Sequence, residues 1–139
     1  MDIFLELKNM NILLVDDDEW IRDSLSIYFE SEDCRISVHE TAERALAELD
    51  RRRFDVIITD YKLPGMDGIA FLEKVKNSHP KAVKIMITAY ASEVDVRRAK
   101  QAGAQDLIPK PFTSKTIETC LARLTKGKGL DVDREKTGI

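Results

Sequence analysis

Short apolar runs alternate along the chain with segments in which apolar residues recur every three or four positions. Three of the runs are rich in β-branched residues and too short for helices, so they predict strands over residues 12–15, 56–58 and 83–87. The first two contain no polar position, which is typical of strands covered on both faces in a parallel sheet. Weaker apolar patterns predict two more strands, over residues 35–39 and 106–109.

Helical periodicity fills the intervals between these strands. Apolar spacings of three and four predict five helices, over about residues 18–31, 41–49, 69–79, 92–103 and 114–124. Thr41 and Ser92 are suited to the amino-terminal caps of the second and fourth helices, because a hydroxyl there accepts a backbone hydrogen bond. Gly103 is suited to the left-handed position that closes the fourth helix.

The order of these elements, a strand followed by a helix five times, predicts the fold. It implies right-handed crossovers and an α/β, (βα)5 doubly wound architecture, with a five-stranded parallel sheet and helices on both faces. A chain of 139 residues has the size of one domain. We assign residues 1–10 to an amino-terminal extension, 11–125 to the domain, and 126–139 to a polar tail or the start of a linker.

Composition and charge exclude several classes of function. The longest apolar run has four residues, far short of the ~20 that a membrane span needs, and no secretory signal opens the chain. We therefore expect a soluble, cytoplasmic protein. The net charge of −3 would not drive binding to nucleic acid. Cys34 and Cys120 are far apart and form no metal or redox motif, which favours two inert thiols.

Polar residues that carry chemistry follow four of the five strands. Asp16 and Asp17 follow the first strand, Asp60 the third, Thr88 the fourth and Lys110 the fifth. Because sites in open α/β sheets form beyond the carboxyl ends of the strands, these side chains are expected to converge. Each has a plain structural explanation when taken alone, since acids in the first turn of a helix stabilise it through the helix dipole. Taken together they favour a functional site.

This set of residues favours phosphoryl chemistry assisted by a metal. Crowded carboxylates repel one another, and a hard divalent cation relieves that repulsion with oxygen ligands. The chain has no glycine-rich phosphate cradle and no serine nucleophile motif, and His39 and His79 lack metal-ligand spacing. The candidate nucleophile is therefore a carboxylate.

Four motifs, which follow one another along the chain, resemble the motifs of one protein family. Leu14-Val15-Asp16-Asp17-Asp18, Asp60-Tyr61-Lys62-Leu63-Pro64-Gly65-Met66-Asp67-Gly68, Ile87-Thr88-Ala89 and Pro109-Lys110-Pro111-Phe112 are similar to those of bacterial two-component response-regulator receiver domains. The resemblance covers about residues 10–125 and implies the flavodoxin-like fold of chemotaxis regulators. Within the family, the motifs are most similar to those of nitrogen-regulation and sporulation-phosphorelay receivers.

The resemblance implies a role for each residue of the site. Asp60 would be the phosphoacceptor, taking a phosphoryl group from a sensor histidine kinase or a histidine phosphotransfer protein. Asp16, Asp17, Asp60 and the backbone carbonyl of Lys62 would hold Mg²⁺.

The remaining site residues would bind the phosphoryl oxygens. The resemblance assigns this role to Thr88 and Lys110, and it implies a cis peptide bond between Lys110 and Pro111. The domain would then be a switch rather than an enzyme. One departure is Leu107, where the family usually has Tyr or Phe, so the usual aromatic switch cannot operate in that form.

The resemblance also implies where partners bind. The phosphodonor protein would dock near Trp20 and the first helix, and an output domain or protein would bind the face formed by helix 4, strand 5 and helix 5. A phosphorylation-dependent dimer is compatible with the family. Direct nucleic-acid binding and membrane association are not expected of this domain. Lys62 and Tyr90 would border the path of the hydrolytic water, which predicts slow self-dephosphorylation.

Two alternatives remain open at this point. An aspartate-nucleophile Mg²⁺ phosphatase of the haloacid-dehalogenase type also needs a DxD motif after the first strand, and Asp16 and Asp18 have that spacing. Such a protein is normally longer and carries a cap region. A binding module with an inactive site is the second alternative, and Asp60 together with Lys110 argues against it. The sequence leaves open whether the chain stands alone or belongs to a longer regulator.

Overall fold

Strands and helices alternate regularly in the computed structural model, which describes residues 7–89 and 92–136, with side chains as far as residue 125. The strands are β1 (Asn11–Val15), β2 (Arg35–His39), β3 (Val56–Asp60), β4 (Val83–Thr88) and β5 (Asp106–Pro109). The helices are α1 (Glu19–Ser31), α2 (Ala42–Arg51), α3 (Gly68–Ser78), α4 (Glu93–Gln101) and α5 (Ser114–Lys136). The predicted (βα)5 order is confirmed.

The strands form one parallel sheet in the order β2-β1-β3-β4-β5. Alternate residues of the central strands contribute to two cores. Leu14 and Ile58 lie in one core with residues of α1 and α5, whereas Leu13 and Ile57 lie in the other with residues of α2, α3 and α4. Both faces of the sheet are therefore covered, which explains the absence of polar alternation in β1 and β3.

The predicted helix ends agree with the structure except at α5. Thr41 and Ser92 cap α2 and α4 by accepting hydrogen bonds from Arg44 N and Asp95 N, and Gly103 follows α4 with a φ of +110°. The prediction that the last helix ends near Leu124 is wrong, because α5 continues to Lys136. Glycine costs only about 1 kcal/mol within a helix, and the chain has no proline after Pro111 that would force an end.

Parallel strands place all their carboxyl ends at one edge of the sheet. The register pairs Asp60 with Ile87 and Thr88 with Pro109, so these ends are level with one another. Within the described parts of the chain, no helix is apolar over a length that could cross a bilayer.

Candidate functional site

Three hydrogen bonds fix Asp16 immediately after β1. Its backbone N–H donates to the carbonyl of His39 (3.1 Å) on the neighbouring strand. Its carboxylate Oδ1 accepts from the backbone N–H of Asp18 (2.9 Å), and its carbonyl accepts from the Arg22 guanidinium (2.9 Å). Asp18 is the N-cap of α1, where its own carboxylate accepts from the Trp20 N–H. The start of α1 therefore sets the position of the first acid.

Asp60 occupies the last position of β3 and is only 5% exposed. The Lys110 ammonium lies 3.0 Å from its Oδ2 and 3.4 Å from Oδ2 of Asp16. On the other side, Gly68 begins α3 so close to Asp60 that a Cβ there would lie 2.2 Å from the Asp60 carbonyl oxygen. A larger residue at position 68 would displace the strand end that carries the carboxylate.

Thr88 and Lys110 complete the edge. Thr88 is the last residue of β4 and is 2% exposed, and its carbonyl accepts a hydrogen bond from the Lys110 N–H (2.7 Å). The Lys110–Pro111 peptide bond is cis, as expected. The backbone thus connects the hydroxyl-bearing residue directly to the lysine that contacts Asp60.

Burial disfavours the ionised forms of Asp16 and Asp60. Removal from water raises the pKa of Asp16 to about 6 against a hydrogen bond from Asp18 that lowers it, and the nearby charge of Asp60 raises it further. Burial likewise raises the pKa of Asp60, although Lys110 acts in the opposite direction. For Lys110, burial lowers the pKa, but the two carboxylates outweigh burial and leave the pKa raised. The edge therefore carries more carboxylate than one lysine compensates.

The acidic cluster fits a divalent metal. One carboxylate oxygen from each of Asp16, Asp17 and Asp60 lies within 4.8 Å of the others. Among the described residues, Oδ2 of Asp16 is the buried side-chain polar atom without a hydrogen-bond partner. An all-oxygen donor set, in which Asp16 Oδ2 makes no hydrogen bond although the Lys110 ammonium lies 3.4 Å away, matches the preference of hard cations such as Mg²⁺. Lys62 is exposed on the following loop, and its carbonyl stays a predicted ligand.

An apolar groove of about 660 Å³ opens beside the site. It lies between α1 and the start of α5, and Lys110 lines the end nearest Asp60. Its other lining residues include Trp20, Ile21, Tyr28 and Phe112. Trp20 is 78% exposed, an unusual position for the largest apolar side chain.

Sequence reasoning missed three residues that support the site. They are Arg22, which holds the Asp16 carbonyl; Glu43, whose carboxylate accepts from the Met66 N–H; and Tyr61, whose hydroxyl accepts from Arg98 of α4. Glu43 and Met66 are 23 positions apart and Tyr61 and Arg98 are 37 apart, so no local motif reveals these contacts. Arg22 lies close to Asp16 in sequence, but only the structure shows that its guanidinium reaches the Asp16 carbonyl. Leu107 is half-buried against the core under α2, α3 and α4. Tyr90, the other residue assigned to the water path, lies outside the described residues.

Comparison with known proteins identifies the family. The sequence model of the family described as the response regulator receiver domain matches residues 12–122. This range includes Asp16, Asp17, Asp60, Thr88 and Lys110. The chain belongs to this family. It is therefore a receiver domain of the kind found in two-component systems, and the resemblance read from the four motifs is confirmed.

Curated relatives are longer regulators. The domain is 36% identical over 101 residues to the regulatory protein VanR of Enterococcus faecium, a match that covers 73% of this chain and 43% of VanR. It is equally similar, 36% over 101 residues, to the transcriptional regulator NtrC of Salmonella typhimurium, covering 73% of this chain and 22% of NtrC. The chain thus spans less than half the length of these relatives.

Solved structures of receiver domains have the same architecture. A CheY-like receiver domain protein from Methanospirillum hungatei is 34% identical with a TM-score of 0.76, and the match covers 92% of this chain and 98% of that one. The chemotaxis protein CheY4 of Vibrio cholerae is 29% identical with a TM-score of 0.79, covering 82% of this chain and 97% of CheY4. The doubly wound fold is confirmed, and the phosphatase alternative finds no support.

Proposed function

We propose that Asp60 is the phosphoacceptor of this receiver domain. In the transfer, the P–N bond to a donor histidine breaks and a P–O bond to an Asp60 carboxylate oxygen forms. The observation that carries the assignment is the position of Asp60, where a nearly buried carboxylate is presented at the strand edge and contacts Lys110 at 3.0 Å. Asp16, the other buried acid, is fully buried and is therefore less accessible to an incoming phosphoryl group.

We assign Asp16, Asp17, Asp60 and the carbonyl of Lys62 to a Mg²⁺ site. The Asp16 oxygen without a hydrogen bond and the burial of two neighbouring acids support a dication as the partner of this site. Bound Mg²⁺ would offset negative charge on the incoming phosphoryl group. Asp17 is exposed, so it supplies an oxygen without the desolvation cost that its neighbour bears.

Thr88 and Lys110 are proposed to bind the phosphoryl oxygens. The Lys110 ammonium already lies beside the acceptor carboxylate and supplies a fixed positive charge where negative charge accumulates. Thr88 ends the strand adjacent to β3, so it lies at the same edge of the sheet as Asp60. With an acceptor but no second nucleophile or base assigned, the domain would be phosphorylated once and lose the group slowly rather than turn over substrate.

The groove beside α1 is proposed as the docking site of the phosphodonor. A donor histidine must approach Asp60 past Lys110, and the groove begins there. Trp20 and Ile27, 78% and 71% exposed, are seven residues apart on α1 and lie on one helical stripe. Tryptophan is a frequent energetic centre of interfaces. A sensor histidine kinase or histidine phosphotransfer protein that presents an apolar helix face would fit this surface.

Output is proposed to involve the neighbouring face, formed by α4, β5 and α5. An output domain or protein, or a second phosphorylated copy, would bind there in the cytoplasm, where such kinases deliver the group. This domain would not contact nucleic acid directly. The similarity to NtrC and VanR supports an attached output domain in a longer chain.

The central test is phosphorylation by acetyl phosphate with Mg²⁺, followed by intact mass. The wild-type domain should gain one phosphoryl group that is labile to base, and Asp60→Asn should gain none. Asp55→Asn is the matched control, because Asp55 is also an aspartate near a β3 end but accepts from Asn11 N at the far edge of the sheet. Equal phosphorylation of Asp60→Asn would overturn the assignment.

The docking site is tested by changing the phosphodonor. Trp20→Ala should slow transfer from a histidine phosphotransfer protein by about tenfold or more, while phosphorylation by acetyl phosphate stays unchanged. Val94→Ala, which removes another exposed apolar side chain on α4, is the control and should leave both rates unchanged. Equal rates for Trp20→Ala and the wild type with the protein donor would contradict docking on α1.

A further inference from the structure

Tyr61 connects the acceptor to α4. It follows Asp60 directly, and its backbone N–H donates to the Ile87 carbonyl (2.9 Å) while its carbonyl accepts from the Gly68 N–H (2.8 Å). The same N–H also acts to lower the pKa of the adjacent Asp60 carboxylate. Any group added to that carboxylate therefore acts on the peptide that carries the Tyr61 side chain.

The other end of Tyr61 reaches two charged residues of α4. Its hydroxyl accepts a hydrogen bond from the Arg98 guanidinium (2.8 Å), and burial and the nearby Asp95 carboxylate both raise the pKa of that hydroxyl. Asp95 is held in turn by the N-cap, since Ser92 Oγ donates to its carboxylate (2.8 Å) and accepts from its backbone N–H (3.2 Å). Asp95 and Arg98 are three residues apart and share one face of the helix.

Leu107 occupies the β5 position where this family usually has Tyr or Phe, and its side chain cannot form a similar contact with α4. Leu107 has neither a ring nor a hydroxyl, and it packs against the same core as Tyr61. Both side chains therefore lie on the face of the sheet that α4 covers. Of the two, Tyr61 has a polar group that meets α4.

We propose that Tyr61 is the positioning residue that couples the state of Asp60 to the position of α4. Its hydroxyl holds α4 in the unphosphorylated arrangement through Asp95 and Arg98, and modification of Asp60 shifts the Tyr61 peptide and releases the helix. The inference rests on the proposed role of Asp60. A receiver without the hydroxyl would populate the activated arrangement more at rest and would bind a phosphoryl mimic more tightly.

The test is a titration with beryllofluoride and Mg²⁺, followed by the amide resonances of α4. In the wild type, these resonances should move from a resting to an activated position. In Tyr61→Phe, the resting α4 resonances should already be displaced toward the activated position, and half-saturation should need about fivefold less beryllofluoride, which matches one net hydrogen bond. Arg98→Gln should produce the same displacement, and the double variant should add little to either.

Arg52→Gln is the matched control for Arg98→Gln. It removes an exposed guanidinium whose Nε donates to the Glu48 carboxylate (2.6 Å) of α2. Its α4 resonances and half-saturation should equal those of the wild type. If the wild type responds and Tyr61→Phe responds identically, or needs more beryllofluoride, the coupling role fails while the role of Asp60 stands. If the wild type itself does not respond, the proposed function fails as well.

Discussion

The two ends of the parallel sheet both bury residues that carry charge, but they satisfy them differently. At the amino ends of the strands, Lys84 is only 4% exposed, and its ammonium donates to the carbonyls of Ala82 (2.9 Å) and Pro80 (3.5 Å). At the carboxyl ends, Asp16 is fully buried and one of its oxygens has no hydrogen-bond partner. Burial of a charged residue therefore does not by itself mark a functional site.

The difference lies in what completes each cluster. At the amino end, the protein itself supplies the hydrogen-bond partners. The side-chain oxygen of Gln105 accepts from the Lys84 N–H, and the Gln105 backbone N–H donates to the Lys84 carbonyl. The carboxyl end contains more buried carboxylate than Lys110 compensates, which raises the pKa of Asp16 and Asp60. An unsatisfied, charge-unbalanced cluster is stable only with a ligand or at a cost. The carboxyl end is therefore the one built to bind something.

The largest expected effect distinguishes Asp17, which we propose as a metal ligand, from its neighbour Asp18. Asp17→Asn should weaken Mg²⁺ binding on the order of a hundredfold, because it removes one carboxylate from a site of three. Asp18→Asn should change it little, since the Asp18 side chain caps α1 and asparagine caps equally well. Quenching of Trp20 fluorescence measures both affinities.

The control for this prediction comes from the other end of the sheet. Asp55→Asn, which alters a carboxylate at the amino end, should leave Mg²⁺ affinity unchanged. Equal losses for Asp17→Asn and Asp18→Asn would show that the wrong acid has been assigned to the metal.

The topology explains how much of this contrast was predictable from sequence. Apolar runs and helical spacing predicted all five strands, and the rule that parallel strands end at one edge then brought Asp16, Asp60, Thr88 and Lys110 together. Each of these residues ends a strand or directly follows one, so a local pattern locates it. Lys84 has no such signal, because a lysine within an apolar run does not reveal whether its amine reaches solvent or a backbone carbonyl.

The contacts of Tyr61 and the end of α5 needed the structure for different reasons. Tyr61 and Arg98 are 37 positions apart, and their contact depends on how α4 packs on the sheet, which no periodicity encodes. For α5, the glycines after Leu124 weaken a helix without forbidding it, so composition alone misplaced the end.

The second expected effect is on how the free energy of unfolding of the metal-free protein depends on pH. Burial raises the pKa of Asp16 from an ordinary 3.8 to about 6, so the folded protein binds this proton more tightly than the unfolded chain. The free energy of unfolding should therefore fall as the pH rises from about 4 to about 6. Asp16→Asn should flatten this decline and stabilise the metal-free protein at pH 7 by about 2 kcal/mol.

Urea denaturation at several pH values in the presence of a chelator measures this effect. Thr125→Val, which removes a buried hydroxyl that donates to the Leu121 carbonyl but no charge, should keep the wild-type dependence on pH. If Asp16→Asn were less stable than the wild type at pH 7, this would contradict the prediction that the ionised Asp16 carboxylate destabilises the metal-free protein.

The smallest expected effect concerns how long the phosphorylated state lasts. Lys62 is exposed on the loop two residues after Asp60, and we expect its ammonium to bond a phosphoryl oxygen and to narrow the path of an in-line water. Lys62→Asn should therefore speed the decay of phospho-Asp60 by about threefold, and addition of Tyr90→Ala should speed it further. Lys81→Asn replaces an exposed lysine at the amino end of the sheet and should leave the rate unchanged. The decay is followed by intact mass after removal of the phosphodonor. Unchanged or slower decay in Lys62→Asn/Tyr90→Ala would show that neither side chain shields the acyl phosphate, and that its lifetime is set by the buried residues alone.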